Sequence, residues 1–277
     1  MGGIGFIMAI LFVLLVVAVI YFVRHRQEEL IPLSLTLLLA LSNGLVGFVD
    51  DYCKLLKKQN EGLKAYQKFL LQVVAAAVYL LVMRLTGSID TVLHIPFTSR
   101  FVDLGVVYYI FSLLMIVGMV NSVNLTDGID GLAGSITLVV AGFFSLVAFR
   151  MENTSLRLLS ACLVGAMIGF LIYNLNPAKF FMGDTGSLFL GGAISGAAFL
   201  MNEPMLIFVC GGVFLLETVS VMLQVASFKL FSRRIFKMAP VHHHFQACQW
   251  SENKIVAVFS TVAVLFCVLA WFGLAKL

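Results

Sequence analysis

LIPLSLTLLLALSNGLVGFVDDYCK, residues 30–54, sets twenty uncharged residues directly against two adjacent aspartates and a lysine. A helix crossing a hydrocarbon layer about 30 Å thick needs roughly 20 predominantly apolar residues, so residues 30–49 read as a membrane span. The pattern recurs along the 277 residues, of which 61% are hydrophobic and only 12% charged, with a mean hydropathy of +1.04. So few charges cannot cover a water-exposed surface, and a soluble globular class is excluded. Nine apolar segments are marked, at about 4–23, 30–49, 68–86, 103–121, 133–149, 156–173, 187–201, 205–227 and 254–275. The expected fold is an all-α, polytopic transmembrane helix bundle forming a single domain over residues 1–277, with no strand-forming domain left over. Five cysteines without zinc-type spacing read as free thiols, and the first apolar run reads as a retained span.

Successive spans reverse direction, so the connectors after the second, fourth, sixth and eighth emerge on one face. They hold Asp50, Asp51, Lys54, Lys57, Lys58 and Lys64; NSVNLTDGIDG at 121–131; NLNPAKFFMGDTGS at 174–187; and Arg233, Arg234, Lys237 with His242, His243 and His244. That face carries 11 Lys and Arg residues against 7 on the other, which marks it as cytoplasmic.

Each connector has a chemical reading and a plainer one. Asp50 and Asp51 repel each other at the membrane boundary unless a cation or basic partner compensates; otherwise they only stop a helix. Asn124, Asp127 and Asp130 place oxygens every three residues, fit to face one side of a helix or tight turn, or serve as ordinary turn residues. Asp184 sits between glycines before the seventh segment, where it can bind magnesium or cap the helix, whose free amides would favour a phosphate. The three histidines suit phosphate or substrate contact, zinc being disfavoured for three consecutive residues on an extended segment. Lys54 and its neighbours suit an anionic lipid or a diphosphate, or only set orientation. Magnesium prefers carboxylates plus substrate phosphates, so aspartates gathered on one face fit a site where a soluble diphosphate meets a lipid phosphate.

At GFVDDYCK (47–54), NSVNLTDGIDGLA (121–133), YNLNPAKFFMGDTGS (173–187) and APVHHHF (239–245), essentially the whole chain resembles the polyprenyl-phosphate N-acetylhexosamine-1-phosphate transferase superfamily. The histidine run is the mark of its phospho-N-acetylmuramoyl-pentapeptide-transferase branch. The resemblance implies ten spans with a polar cleft on the cytoplasmic face of a bacterial membrane. Nine are visible, and Met1-Gly2-Gly3-Ile4 resembles the tail of a motif that follows a further span, which is therefore expected to be missing. It also implies attack by undecaprenyl phosphate on UDP-MurNAc-pentapeptide, giving lipid I and UMP in peptidoglycan synthesis, with Mg2+ as cofactor and a homodimer as assembly. A nucleic-acid partner is not expected. Carried over by residue, Asp184 is the leading magnesium ligand, Asp50 a base for the lipid phosphate, and Asp51 a metal or substrate contact. Asn124, Asp127 and Asp130 line the nucleotide and metal cleft, Asn174 and Phe181 the uridine side, and His242, His243 and His244 the diphosphate or sugar.

Three other readings compete. A related transferase would take UDP-N-acetylglucosamine. An ion-coupled transporter would use Glu217, which lies inside the eighth segment and otherwise pairs with Gln224 or holds a bend; the absence of an internal repeat argues against it. An inactive membrane scaffold would make no use of intact aspartate motifs.

Overall fold

The computed structural model describes residues 2–25, 30–57 and 62–274. Arg26, Lys58 and Lys276, used in the charge count above, lie outside these residues. The helices are α1 (Gly3–Val23), α2 (Ile31–Lys57), α3 (Ala65–Leu85), α4 (Val106–Thr126), α5 (Leu132–Arg150), α6 (Thr154–Asn174), α7 (Gly183–Leu200), α8 (Ile207–Cys210), α9 (Gly212–Phe231), α10 (Val241–Ala247) and α11 (Glu252–Gly273). Over the described residues each marked apolar segment is mainly helical, and among these residues eight helices are long and apolar enough to cross a membrane. The outward faces show why water is the wrong solvent: on α1, Phe12, Leu15, Val19 and Phe22 are as apolar as the inward Phe6, Ile10 and Leu14.

The segment that falls short of that apolarity is α7. It has 18 residues, roughly 27 Å of helix, and every residue from Thr185 to Leu200 is buried. Protein surrounds it, so lipid-facing bulk is not needed. Small residues take its place, and α2 and α4 close on it from two sides. Gly191 lies against the Val120 backbone and Gly192 against Ala40, the close approach that drives helix association where no hydrophobic gradient exists.

Three boundaries differ from the sequence reading. α2 runs on past residue 49 to Lys57, so Asp50, Asp51 and Lys54 occupy its last turns instead of a loop. The expected span at 205–227 is a 3-10 turn (Pro204–Leu206) and α8, then α9 from Gly212 onward to Phe231. The connector at 228–253 contains α10, so the histidines are helical, not extended. A small antiparallel hairpin also joins α3 to α4, pairing β1 (Val92–His94) with β2 (Phe101–Asp103). At that end of the bundle His94 Nδ1 lies 2.7 Å from Glu203 Oε2. The ends of α2, α4 and α6 and the starts of α3, α7 and α11 meet at the opposite end.

Candidate active site

The site begins with a helix end. α7 offers unpaired amides at its first turn, and the partner is a side chain from another helix. Asp51 Oδ1 accepts from the Asp184 amide at 3.3 Å, while its Oδ2 accepts from the Thr185 amide at 3.0 Å and the Thr185 hydroxyl at 2.8 Å. Two of the amides expected to be free for a phosphate are therefore occupied by Asp51. Gly47, one turn earlier on α2, makes the approach possible, because a Cβ there would collide with the backbone of Asp184 and Thr185.

Capping fixes where Asp184 points. Its Oδ2 lies 2.9 Å from Lys54 Nζ and 2.8 Å from Lys68 Nζ, and its Oδ1 accepts from Asn124 at 2.9 Å. Asn124 also donates to the Ser187 hydroxyl at 2.8 Å, which holds its amide in one orientation. Asp50 is buried; its Oδ1 accepts from the Leu63 amide at 2.8 Å and its Oδ2 lies 2.7 Å from Lys54 Nζ. Oxygens of Asp50, Asp51 and Asp184 all fall within 4.8 Å of one another, the grouping among the described residues that could hold a metal ion.

The charges at the site are unevenly balanced: against the opposing pull of burial, hydrogen bonding and the ammonium groups of Lys68 and Lys54 hold the Asp184 carboxyl well below its ordinary range. Asp127, at the C-terminal end of α4, is pushed up to about 7 by burial first and then by the negative charges of Asp184 and Asp51. Three carboxylates, Asp50, Asp51 and Asp184, share the ammonium groups of Lys54 and Lys68, with Asp127 carrying a partial charge beside them, which leaves room for further positive charge. An all-oxygen donor set with that deficit fits a magnesium ion, which binds through one or two carboxylates plus substrate phosphates.

The Asn124, Asp127 and Asp130 set divides. Asn124 contacts the carboxylate cluster directly and Asp127 senses it through space, whereas Asp130 turns away. Asp130 Oδ2 accepts from the Asn176 side chain at 3.1 Å and the Ala178 amide at 2.9 Å. Asn174 is a brace as well, accepting from the Gly131 amide at 3.1 Å and donating to the Phe180 carbonyl at 2.8 Å. Phe181 exposes its ring beside that brace.

On α10 the three histidines have three different sets of partners, although the His242 and His243 rings lie only 4.2 Å apart. His242 is fully buried, its Nδ1 3.1 Å from Glu217 Oε2, and its Nε2 end packs over Gly128 next to Asp127. Glu217 therefore pairs with His242 and not with Gln224, whose amide instead binds backbone groups of Ile235 and Phe236. His243 Nδ1 lies 2.6 Å from Gln246 Oε1. His244 accepts from the Lys237 amide at 3.1 Å, which folds the basic loop back on α10.

Sequence reasoning grouped Lys68 with the lysines around Lys54, fit for an anionic lipid or diphosphate or for orientation alone, and did not single it out. It passed over Thr185, Ser187 and Glu252, whose partners lie more than 60 residues away and leave no local pattern.

Residues 33–202, which carry three of the four polar connectors, match the family described as glycosyl transferase family 4. The chain is 44% identical over 269 residues to the phospho-N-acetylmuramoyl-pentapeptide-transferase of Bacillus cytotoxicus, covering 97% of this chain and 81% of that protein. It is 40% identical over 277 residues to the enzyme of that name from Clostridium novyi, covering 100% and 83%. The Staphylococcus carnosus enzyme of that name is 42% identical over 267 residues, covering 96% and 81%. With a matching carboxylate-rich helix end and this identity across nearly its full length, the chain belongs to glycosyl transferase family 4.

Proposed function

We propose that this chain transfers phospho-MurNAc-pentapeptide from UDP-MurNAc-pentapeptide to undecaprenyl phosphate, giving lipid I and UMP. The observation that carries the mechanism is the convergence of Asp50, Asp51 and Asp184 with Lys54 and Lys68 at one end of the helices. Both reactants are anions, so the site's first task is to let them approach. Lys54 and Lys68 supply positive charge for the diphosphate, and Asn124 keeps Asp184 in register. An oxygen of the lipid phosphate forms the new bond to the sugar-linked phosphorus, and the bond to the UMP oxygen breaks. A phosphate monoester is already a nucleophile near neutral pH, so little is asked of Asp50 as a base.

Asp184 would hold magnesium, with Asp50 and the remaining lone pairs of Asp51 beside it; the ion would screen repulsion between the reactants and stabilise charge on departing UMP. Asp51 then has a second task, which is to aim Asp184. Asp127 and His242 back the cleft, Phe181 offers an aromatic face to the uracil, and Asp130 and Asn174 hold the loops that present it. The excess of basic residues supports a reading in which this end of the bundle faces the cytoplasm from a bacterial cytoplasmic membrane, and the proposed assembly is a homodimer.

The test supplies purified protein with undecaprenyl phosphate and either UDP-MurNAc-pentapeptide or UDP-N-acetylglucosamine, each labelled in the sugar. Label should enter the lipid phase from the muramoyl donor, with stoichiometric UMP. Label from the N-acetylglucosamine donor alone would reassign the enzyme, and label from neither would end the proposal.

A further inference from the structure

One polar chain in the molecule is not used by the mechanism above. Glu252, at the start of α11, accepts at Oε1 from the Gln246 amide nitrogen at 3.0 Å. Its Oε2 accepts from the Asp130 amide at 3.3 Å and from the Asn176 side chain at 3.2 Å. Three donors from three segments thus end on one carboxylate, which ties α10 to the loops after α4 and α6. The direction of these bonds has a chemical result. A carboxylate accepts and does not donate, so Gln246 must turn its nitrogen toward Glu252 and its oxygen toward His243. That oxygen lies 2.6 Å from His243 Nδ1. An amide oxygen also only accepts, so Nδ1 must carry the proton. The neutral ring then has Nε2 as a bare acceptor.

We propose that Glu252, through Gln246, fixes His243 as the Nδ1-protonated tautomer, so that Nε2 receives a hydrogen bond from a hydroxyl or amide N–H on the sugar-peptide part of the donor substrate. Glu252 and Gln246 are positioning residues, and His243 is the group that discriminates. The ligand half rests on the function proposed above; the tautomer half does not. A site with a committed acceptor rejects an analogue that has lost the matching donor, because the bound analogue shields the polar atom from water and leaves it unpaired.

Nitrogen-15 NMR of histidine-labelled full-length protein in nanodiscs, assigned by His243→Ala, reads the tautomer without substrate. The expected spectrum has Nδ1 protonated and Nε2 bare, and Gln246→Leu or Glu252→Gln should shift the ring toward the opposite tautomer. A ring protonated at Nε2 in the wild type, or unmoved in both variants, overturns the proposal. Kinetics decides the ligand. Gln246→Leu should raise KM for UDP-MurNAc-pentapeptide about tenfold with kcat changed far less, the size expected for one lost hydrogen bond, and should add nothing in a His243→Ala background. An equal KM rise in that background would show a general loosening of α10 and overturn the role. A wild type that makes no product from this donor would remove the ligand assignment and the function together, while the NMR result would still stand.

Discussion

At the scale of single residues, the molecule separates groups that touch charge from groups that hold them. Asp184 meets two ammonium groups and the Asn124 amide, so its removal disables the charge balance on which transfer depends. Asp184→Ala should cut turnover by about 10²–10³, the cost of losing a main electrostatic element, whereas His243→Ala should cost about tenfold, mostly in KM. Initial rates of UMP release across donor concentrations check both, and equal losses would contradict the division of roles. Asp127 supplies a pH signature. Its carboxyl is pushed up to about 7 when folded, so between about pH 4 and 7 the folded chain binds more protons than the unfolded one. The group's contribution to stability is therefore highest at low pH and falls as pH rises through 7. Asp127→Asn should raise the metal-free Tm above wild type at pH 8, by at most about 4 kcal/mol in stability, with no difference at pH 4. Thermal scans in EDTA measure this, and a gap independent of pH would refute it. The residue types at this site were legible in the sequence because carboxylates at a lipid boundary need compensation. Their division was not: Asp130 and Asn174 look like ligands in the text of the chain, but the backbone amides of Ala178 and Gly131 claim them, and a main-chain donor leaves no mark in residue type.

At the scale of elements, periodic apolarity marked the helices well, while their ends followed rules outside the apolar count. α2 outlasts its apolar run because Asp50 and Asp51 have partners in Leu63, Lys54 and the start of α7, so the last turns are held by contacts made across the fold. α7, marked at 187–201, gives a weaker hydropathy signal than the other long helices because protein, not lipid, surrounds it. The contact between these helices is close enough to be tested by one methyl group. Gly47→Ala would press into the Asp184 and Thr185 backbone; neither helix can yield there without moving the cap. The variant should lose about 1–3 kcal/mol of stability and most of its turnover, read by thermal scans beside UMP release. Wild-type behaviour in both would show that the two helices do not approach this closely in solution. Asp51→Asn, which keeps one acceptor for the α7 amides, should retain more activity than Asp51→Ala.

At the scale of the molecule, four connectors far apart in sequence are drawn to one end of a bundle, and the hairpin with its buried His94–Glu203 contact closes the other. The alternation of spans foretold that gathering; the hairpin was missed because three-residue strands leave no period to detect. The proposed orientation rests on the basic excess. In a cysteine-free background, Glu152→Cys should react with a membrane-impermeant maleimide on intact cells and Arg233→Cys only after lysis; the reverse result would invert the topology. The central claim is that this gathering builds one divalent-cation site around Asp184. Mn2+ titration of the purified protein, followed by electron paramagnetic resonance, measures it directly. The account predicts one tightly bound ion per chain, displaced by excess Mg2+ and lost in Asp184→Asn; equal binding by wild type and variant would contradict it.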